Sequence, residues 1–176
     1  MTDRKAVIFC SANVDIDPLY NQAAREVVRA VCLAGYGIVS GGTTKGTMDV
    51  VAKAAMEFSG RHRGVIPRFM SQYLTTYVDE VVWTDLMSER KDAMREGTTL
   101  AIALPGGIGT LDELFETFTL AKLKKYPGKV IAYNVNGFYE PLRALLDHFV
   151  QTNMLYQCDR DLIYFPSTID ELKALI

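Results

Sequence analysis

The segment TTLAIALPGGIGTLDELFE, residues 98–116, decides the fold of this chain. Its first seven residues, 98–104, are β-prone and mostly apolar, which predicts a strand. Apolar residues with helical spacing follow from residue 110, so the glycines lie where a strand turns into a helix. Such a turn presents free backbone N–H groups and the positive end of a helix dipole, which suit a phosphate or another anion. Because carboxylates occupy the first helical turns, the segment indicates an enzyme that acts on a phosphorylated substrate.

Strands and helices alternate on both sides of this segment. Predicted strands cover residues 5–10, 37–40, 64–66, 78–83, 98–104, 129–135 and 162–165. Predicted helices cover residues 18–34, 47–58, 86–96, 110–125, 138–152 and 169–175. Short apolar strands that alternate with helices predict an α/β fold, a Rossmann-like parallel sheet with helices on both faces. We see no linker or repeat, so we expect a single Rossmann-like domain over residues 1–176.

Three turns rich in glycine or serine follow strands, at residues 11–13, 41–46 and 105–110. Ligands of open α/β sheets lie at the carboxyl ends of the strands, so the three turns should converge on one cleft. Ser11 offers a hydroxyl to a ribose or phosphate, and the second turn offers Thr43, Thr44 and Lys45. The sequence therefore predicts a binding site built mainly from turns.

Composition excludes several classes of function. The 176 residues carry a formal net charge of −2 and are 49% hydrophobic, so nothing favours binding to nucleic acid or to acidic membranes. We find no signal peptide and no apolar run of bilayer length, and we expect a cytoplasmic protein. Cys10, Cys32 and Cys158 are predicted to be buried free thiols. With only His62 and His148, we expect no metal site, no histidine triad and no cofactor.

The glycines of the central segment match neither common nucleotide fingerprint. Gly107-Ile108-Gly109 begins as G-x-G, but Asp112 stands where the third glycine belongs, and the turn follows a late strand. No Gly-Lys-Ser or Gly-Lys-Thr sequence ends either glycine turn, which argues against a P-loop. The remaining alternative is that these glycines only make tight turns.

Arg90 lies in the middle of an apolar arc of the predicted helix 86–96, and Lys91 lies at its edge. The apolar members of the arc are Leu86, Met87, Ala93 and Met94. An arginine in such a stripe needs an anionic partner, either a structural carboxylate or a phosphorylated ligand. We expect Met87 and Met94 to pack in the interior, although a methionine also suits the border of a flat base.

The predicted helix 110–125 has a core face formed by Leu111, Leu114, Phe115, Phe118 and Ala121. Glu113 and Glu116 are neighbours on a different side of it. Acidic residues in a first turn often only complement the helix dipole, and this alternative covers Asp112 and Glu113. Leu120 and Leu123 lie on the glutamate side, where we expect a self-association surface.

Together these motifs resemble the Lonely Guy family, the cytokinin riboside 5′-monophosphate phosphoribohydrolases. The family hallmark P-G-G-x-G-T-x-x-E is matched by Pro105, Gly106, Gly107, Gly109, Thr110 and Glu113. A Met-x-x-Arg-Lys element is matched by Met87, Arg90 and Lys91, and an earlier glycine element by Gly41, Gly42, Gly46 and Met48. The chain departs from many relatives in reading Ser11-Ala12-Asn13 where they have a glycine-serine-serine turn.

The resemblance implies a Rossmann-like homodimer or higher assembly that removes the base from a nucleoside 5′-monophosphate. It implies catalytic roles for Arg90 and Glu113. The candidate substrate-binding residues are Ser11, Gly41, Gly42, Thr43, Gly46, Met87, Lys91, Gly106, Gly107, Gly109, Thr110 and Glu116. Two alternatives stay open, a general AMP nucleosidase and a nucleotide-binding sensor or carrier without turnover. Relatives are often labelled lysine decarboxylases, but we see no pyridoxal-phosphate site in this sequence.

Overall fold

A computed structural model describes residues 4–176. The strands are β1 (Lys5–Phe9), β2 (Gly37–Ser40), β3 (His62–Pro67), β4 (Glu80–Thr84), β5 (Thr98–Ala103), β6 (Lys129–Ala132) and β7 (Ile163–Tyr164). The helices are α1 (Pro18–Leu33), α2 (Gly46–Glu57), α3 (Met87–Arg95), α4 (Ile108–Lys122), α5 (Glu140–Gln151), α6 (Gln157–Arg160) and α7 (Ile169–Lys173). Two short 3₁₀ helices, Arg68–Tyr73 and Val135–Gly137, complete the regular structure of the described residues.

All the strands pair in parallel in one sheet, in the order β4-β3-β2-β1-β5-β6-β7. The chain builds outward from β1 to β4 and then returns to place β5 on the other side of β1. This reversal is a topological switch point, where the loops that leave β1 and β5 separate and open a crevice. The fold thus places a ligand site at the carboxyl ends of these two central strands.

The sheet is buried on both faces because its central strands are apolar at nearly every position. Alternate residues point to opposite sides: Ile8 belongs to the core cluster under α1, α2 and α7, whereas Val7 belongs to the cluster under α3, α4 and α5. Ile102 and Ala101 divide between the two clusters in the same way. The predicted Rossmann-like fold with helices on both faces is confirmed.

The differences from the predicted elements are local. The strand predicted over residues 129–135 ends at Ala132, since the Asn134 side chain accepts a hydrogen bond from the backbone N–H of Tyr139 and Asn136 has a φ of 54°. Helix α4 begins two residues earlier than predicted, at Ile108. The 3₁₀ helix Arg68–Tyr73 and the short helix α6 were not predicted, because neither carries a clear periodic pattern.

The cysteine prediction is correct in part. The three cysteines of the described chain are free, but only Cys10 is buried, whereas Cys32 is half-buried and Cys158 is exposed. Cys158 is exposed because it lies on the short surface helix α6. Within residues 4–176, no helix combines the length and apolar character that a membrane crossing requires. No group of three or more His, Cys, Asp or Glu side chains in that range could hold a metal ion.

Candidate active site

A cavity of about 330 Å³ lies at the switch point. It is lined by the end of β1, by the three turns that follow β1, β2 and β5, and by α3 and α4. Its lining includes the predicted site residues Ser11, Gly41, Thr43, Met87, Arg90, Gly107, Gly109, Thr110 and Glu113. The structure therefore brings the three predicted turns together at one cleft.

The main charged feature of the cavity is an ion pair between α3 and α4. Arg90 Nη1 lies 3.2 Å from Glu113 Oε1, and both side chains are buried, with 9% and 12% of their surfaces exposed. Arg90 Nε also donates to the carbonyl oxygen of Val65 on β3, at 3.1 Å. The anionic partner that the sequence requires for Arg90 is thus the carboxylate of Glu113, and the pair faces the cavity.

The Glu113 carboxyl has an unusual electrostatic environment. Burial raises its pKa from 4.5 to about 7, although the neighbouring Arg90 guanidinium acts to lower it. Since one charge partner does not offset the cost of desolvation here, the carboxyl is close to half ionised at neutral pH. A buried carboxyl with such a pKa inside a cavity is the arrangement expected of an acid–base group.

The start of α4 presents backbone to the cavity. Gly107 is the N-cap residue and offers no capping side chain, so the N–H groups of the first turn are left for another acceptor. A Cβ added at Gly107 or at Gly109 would meet nothing within 4 Å. Gly106 differs, because a Cβ there would come within 2.1 Å of Thr110 Oγ1. The glycine cluster thus combines one close contact with two positions that leave the backbone open.

Gly46 and Gly42 lie outside the cavity lining and make close backbone contacts. Gly46 has a φ of +54°, and a Cβ on it would lie 2.4 Å from the carbonyl oxygen of Asn13. Gly42 has a φ of +65°, and a Cβ on it would lie 2.9 Å from Gly64 Cα. Because these two positions carry no side chain, the turn after β2 packs closely against the turn after β1 and against β3. This packing fixes the shape of the cleft.

Lys91 and Glu116 also lie outside the cavity lining, and they bind each other. Lys91 Nζ is 2.8 Å from Glu116 Oε2 and 3.0 Å from Asp112 Oδ2, and Arg95 Nη1 is 3.2 Å from Glu116. Partial burial of Glu116 acts to raise its pKa, but the hydrogen bonds from Lys91 and Arg95 lower it overall. The network joins α3 to α4 beside the Arg90–Glu113 pair.

Several cavity residues were missed as site candidates. They include Cys10 directly after β1, Asn13 in the first turn, and Met48, Met70 and Met94 in the walls. Met48 lies two residues after the glycine turn and matches the family's glycine element, so the resemblance could have identified it as a site residue. Met70 lies on the unpredicted 3₁₀ helix, for which the sequence gives no pattern. Burial raises the pKa of the Cys10 thiol, which makes this cysteine a lining group and not a nucleophile.

The predicted core face of α4 is confirmed, whereas its second apolar patch is smaller than expected. Leu114 and Phe118 are buried in the core cluster, with Leu111, Phe115 and Ala121 packed around them. Leu120 is partly buried and also packs against this cluster. Leu123 alone is exposed, at 58%, and self-association through this side remains an expectation.

The fold and the site define a class of protein, a Rossmann-like α/β protein with a buried arginine–glutamate pair at its topological switch point. A family model described as "Possible lysine decarboxylase" matches residues 48–176. A cytokinin riboside 5′-monophosphate phosphoribohydrolase of Mycobacterium tuberculosis is 34% identical over 175 residues, 98% of this chain and 93% of that protein. One from Oryza sativa subsp. japonica is 34% identical over 172 residues, 96% and 71% of the two chains. The chain belongs to this family, the Lonely Guy family.

Solved structures agree on the fold. The molybdenum cofactor carrier protein of Chlamydomonas reinhardtii superimposes with a TM-score of 0.73 at 19% identity, over 98% of this chain and 94% of that one. The molybdenum cofactor binding protein of Rippkaea orientalis gives a TM-score of 0.71, also at 19% identity, over 99% and 96%. At these identities the likeness concerns the architecture alone.

Proposed function

We propose that this protein hydrolyses the N-glycosidic bond of an adenine-type nucleoside 5′-monophosphate, including N6-modified cytokinin nucleotides, to free base and ribose 5-phosphate. The observation that carries the proposal is the buried Arg90–Glu113 pair facing a cavity beside the open start of α4. The names of the relatives, phosphoribohydrolases at 34% identity, support the same reaction.

The 5′-phosphate binds at the first turn of α4. The backbone N–H groups after Gly107 need acceptors, and the helix dipole favours an anion at this end. Glu113 follows on the same helix, about one and a half turns farther along. A phosphate held at this point anchors the ribose, so that C1′ is kept near the carboxylate rather than free to diffuse.

Glu113 acts on the reacting carbon. Cleavage of the bond builds oxocarbenium character on the ribose, and an ionised carboxylate nearby stabilises this charge. The same carboxylate orients the attacking water and accepts its proton while the departing base takes up a proton from solvent, a role for which a pKa of about 7 is well matched. Glu113 is therefore the catalytic acid–base group of the proposal.

Arg90 holds the carboxylate in place. Its guanidinium is bonded to Glu113 on one side and to the Val65 carbonyl on the other, so that it cannot easily rotate away. Its positive charge also keeps a fraction of Glu113 ionised at neutral pH, against the effect of burial. Without this charge the carboxyl would remain protonated and would be a poor base.

Product analysis tests the proposal. Wild type, Glu113→Gln and Arg90→Ala are incubated with AMP and with an N6-prenylated AMP, and free base is quantified. We expect both variants to lose activity by about 10²-fold or more. Arg25 and Glu57 form a matched surface ion pair between α1 and α2, so Arg25→Ala and Glu57→Gln serve as controls that keep full activity. Full activity in Glu113→Gln would overturn the assignment of the catalytic group.

The same assay separates the two alternatives. A general AMP nucleosidase would show a kcat/KM for AMP at least equal to that for the N6-prenylated analogue. A sensor or carrier would bind AMP tightly and release no base. We favour hydrolysis over carriage because phosphate binding at α4 does not require a buried carboxylate, whose desolvation costs stability.

A further inference from the structure

Ser40 and His62 form a buried hydrogen-bonded pair behind the cavity. Ser40 is the last residue of β2 and is 0% exposed, and His62, the first residue of β3, is 2% exposed. Ser40 Oγ lies 2.7 Å from His62 Nε2. Both side chains are buried and neither lines the cavity of the Arg90–Glu113 pair, so this serine–histidine pair cannot act as a nucleophilic dyad on a substrate bound there.

The partners fix the direction of each hydrogen bond. His62 Nδ1 lies 2.6 Å from the carbonyl oxygen of Tyr77, which can only accept, so Nδ1 carries the proton. Burial lowers the pKa of His62, which favours the neutral ring with an unprotonated Nε2. Ser40 therefore donates to Nε2, and its oxygen accepts the backbone N–H of Gly42 at 3.2 Å. One continuous chain runs from Tyr77 through His62 and Ser40 to the glycine turn.

The turn that contains Gly41 and Gly42, held by this chain of hydrogen bonds, is in contact with Arg90. A Cβ on Gly41 would lie 2.2 Å from Arg90 Nη2, so the backbone of the turn packs directly against the guanidinium. On the other side, Gly42 packs against Gly64 of β3. Strand β3 also supplies the Val65 carbonyl that accepts from Arg90 Nε. The turn is thus enclosed between β3 and the arginine.

We propose that Ser40 and His62 are positioning residues that lock the Gly41–Gly42 turn against Arg90 and so fix the Arg90–Glu113 pair. The rest of the turn is held by backbone bonds, from Thr44 N to the Tyr73 carbonyl at 2.8 Å and from Thr75 N to the Gly42 carbonyl at 2.9 Å. The Gly42 N–H, however, has the Ser40 hydroxyl as its acceptor. Loss of this hydroxyl frees the side of the turn that contacts the guanidinium.

The experiment measures how firmly Arg90 is held, without any substrate. Hydrogen exchange of the Arg90 Nε–H, which is bonded to the Val65 carbonyl, is followed by ¹⁵N NMR and assigned with Arg90→Lys. We expect Ser40→Ala to speed this exchange by about 10-fold or more, while the backbone amides of the central strand β1 keep their protection. Ser40→Thr retains a hydroxyl and should restore slow exchange.

Two further variants separate positioning from a general loss of stability. Thr98→Val removes another buried hydroxyl, at the amino end of β5 and remote from the cavity, and should leave Arg90 exchange unchanged. His62→Leu should match Ser40→Ala, and the double variant should exchange no faster than the faster single variant, since both act through one chain of bonds. Equal Arg90 exchange in wild type and Ser40→Ala would overturn the proposal.

The kinetic consequence rests on the proposed hydrolase function. In the hydrolysis assay Ser40→Ala should lower kcat by about 10-fold and raise KM by a smaller factor, because the phosphate contacts at α4 are intact and only the turn that carries Gly41 and Thr43 is loosened. The two proposals fail separately. A wild type that releases no base would contradict the hydrolase function, whereas the NMR comparison would still support or overturn the role of Ser40 and His62.

Discussion

Arg90 and Glu113 are joined across two helices by a contact of 3.2 Å, yet the carboxyl keeps a raised pKa of about 7. An exposed glutamate beside an arginine would ionise more easily than usual, so burial is the stronger influence at this site. The pair is therefore poised between its neutral and ionised forms at neutral pH. Such a carboxyl costs stability when ionised and is useful where a proton must be moved.

The pH dependence of kcat/KM should report this carboxyl. We expect kcat/KM to rise through pH 7 and to level off above it, since the free enzyme needs Glu113 ionised. The phosphate of the substrate also titrates, at about pH 6. Adenosine 5′-phosphorothioate ionises at a lower pH than AMP. If the rise in kcat/KM were caused by the substrate phosphate, it would therefore shift to lower pH with this analogue. A rise that stays at the same pH with both substrates supports Glu113, and a rise at the ordinary glutamate value of 4.5 would contradict its raised pKa.

The stability of Glu113→Gln relative to wild type should also depend on pH. A raised pKa in the folded state means that the protonated carboxyl stabilises the fold at low pH and that this stability is lost as pH rises through 7. Glutamine does not titrate. The free energy of unfolding of the variant, relative to that of wild type, should therefore increase by about 3 kcal/mol between pH 4.5 and 7.5. Urea unfolding at both pH values measures the change. If the difference in unfolding free energy between Glu113→Gln and wild type were the same at both pH values, the raised pKa of the buried Glu113 carboxyl would be contradicted.

Glu116→Gln tests whether the neighbouring ion pairs bind substrate or hold the helices. Glu116 is engaged by Lys91 and by the buried Arg95, and it lies outside the cavity lining. We expect the variant to lose about 1–3 kcal/mol of unfolding free energy because the two cations lose their shared partner. KM for AMP should stay close to that of wild type. A large rise in KM with unchanged stability would restore Glu116 as a binding residue.

The sequence predicts the architecture well because strong local signals agree with the global fold. Apolar strands, helical periodicity and the glycine turns all point to one parallel sheet, and the structure confirms it. The pairing of Arg90 with an anion was also predictable, since a cation inside an apolar stripe requires a partner. What periodicity could not supply was whether that partner is a structural carboxylate or a phosphorylated ligand.

The remaining features depend on contacts between distant segments. Glu113 and Glu116 are three residues apart with the same chemistry, yet one is buried against Arg90 and the other lies among Lys91 and Arg95. Met70 reaches the cavity from a 3₁₀ helix without a periodic pattern, and the Ser40–His62 bond joins two strands that are adjacent only in the sheet. Tertiary packing alone brings such groups together.

The most direct measurement of the central claim is product stoichiometry with the wild-type protein. AMP and N6-prenylated AMP are each incubated with the enzyme, and free base and ribose 5-phosphate are quantified over time by chromatography. We predict that the two products accumulate in equal amounts with the wild type and are reduced by about 10²-fold or more with Glu113→Gln. Tight binding of either nucleotide with no release of base, or equal release by wild type and Glu113→Gln, would contradict the account.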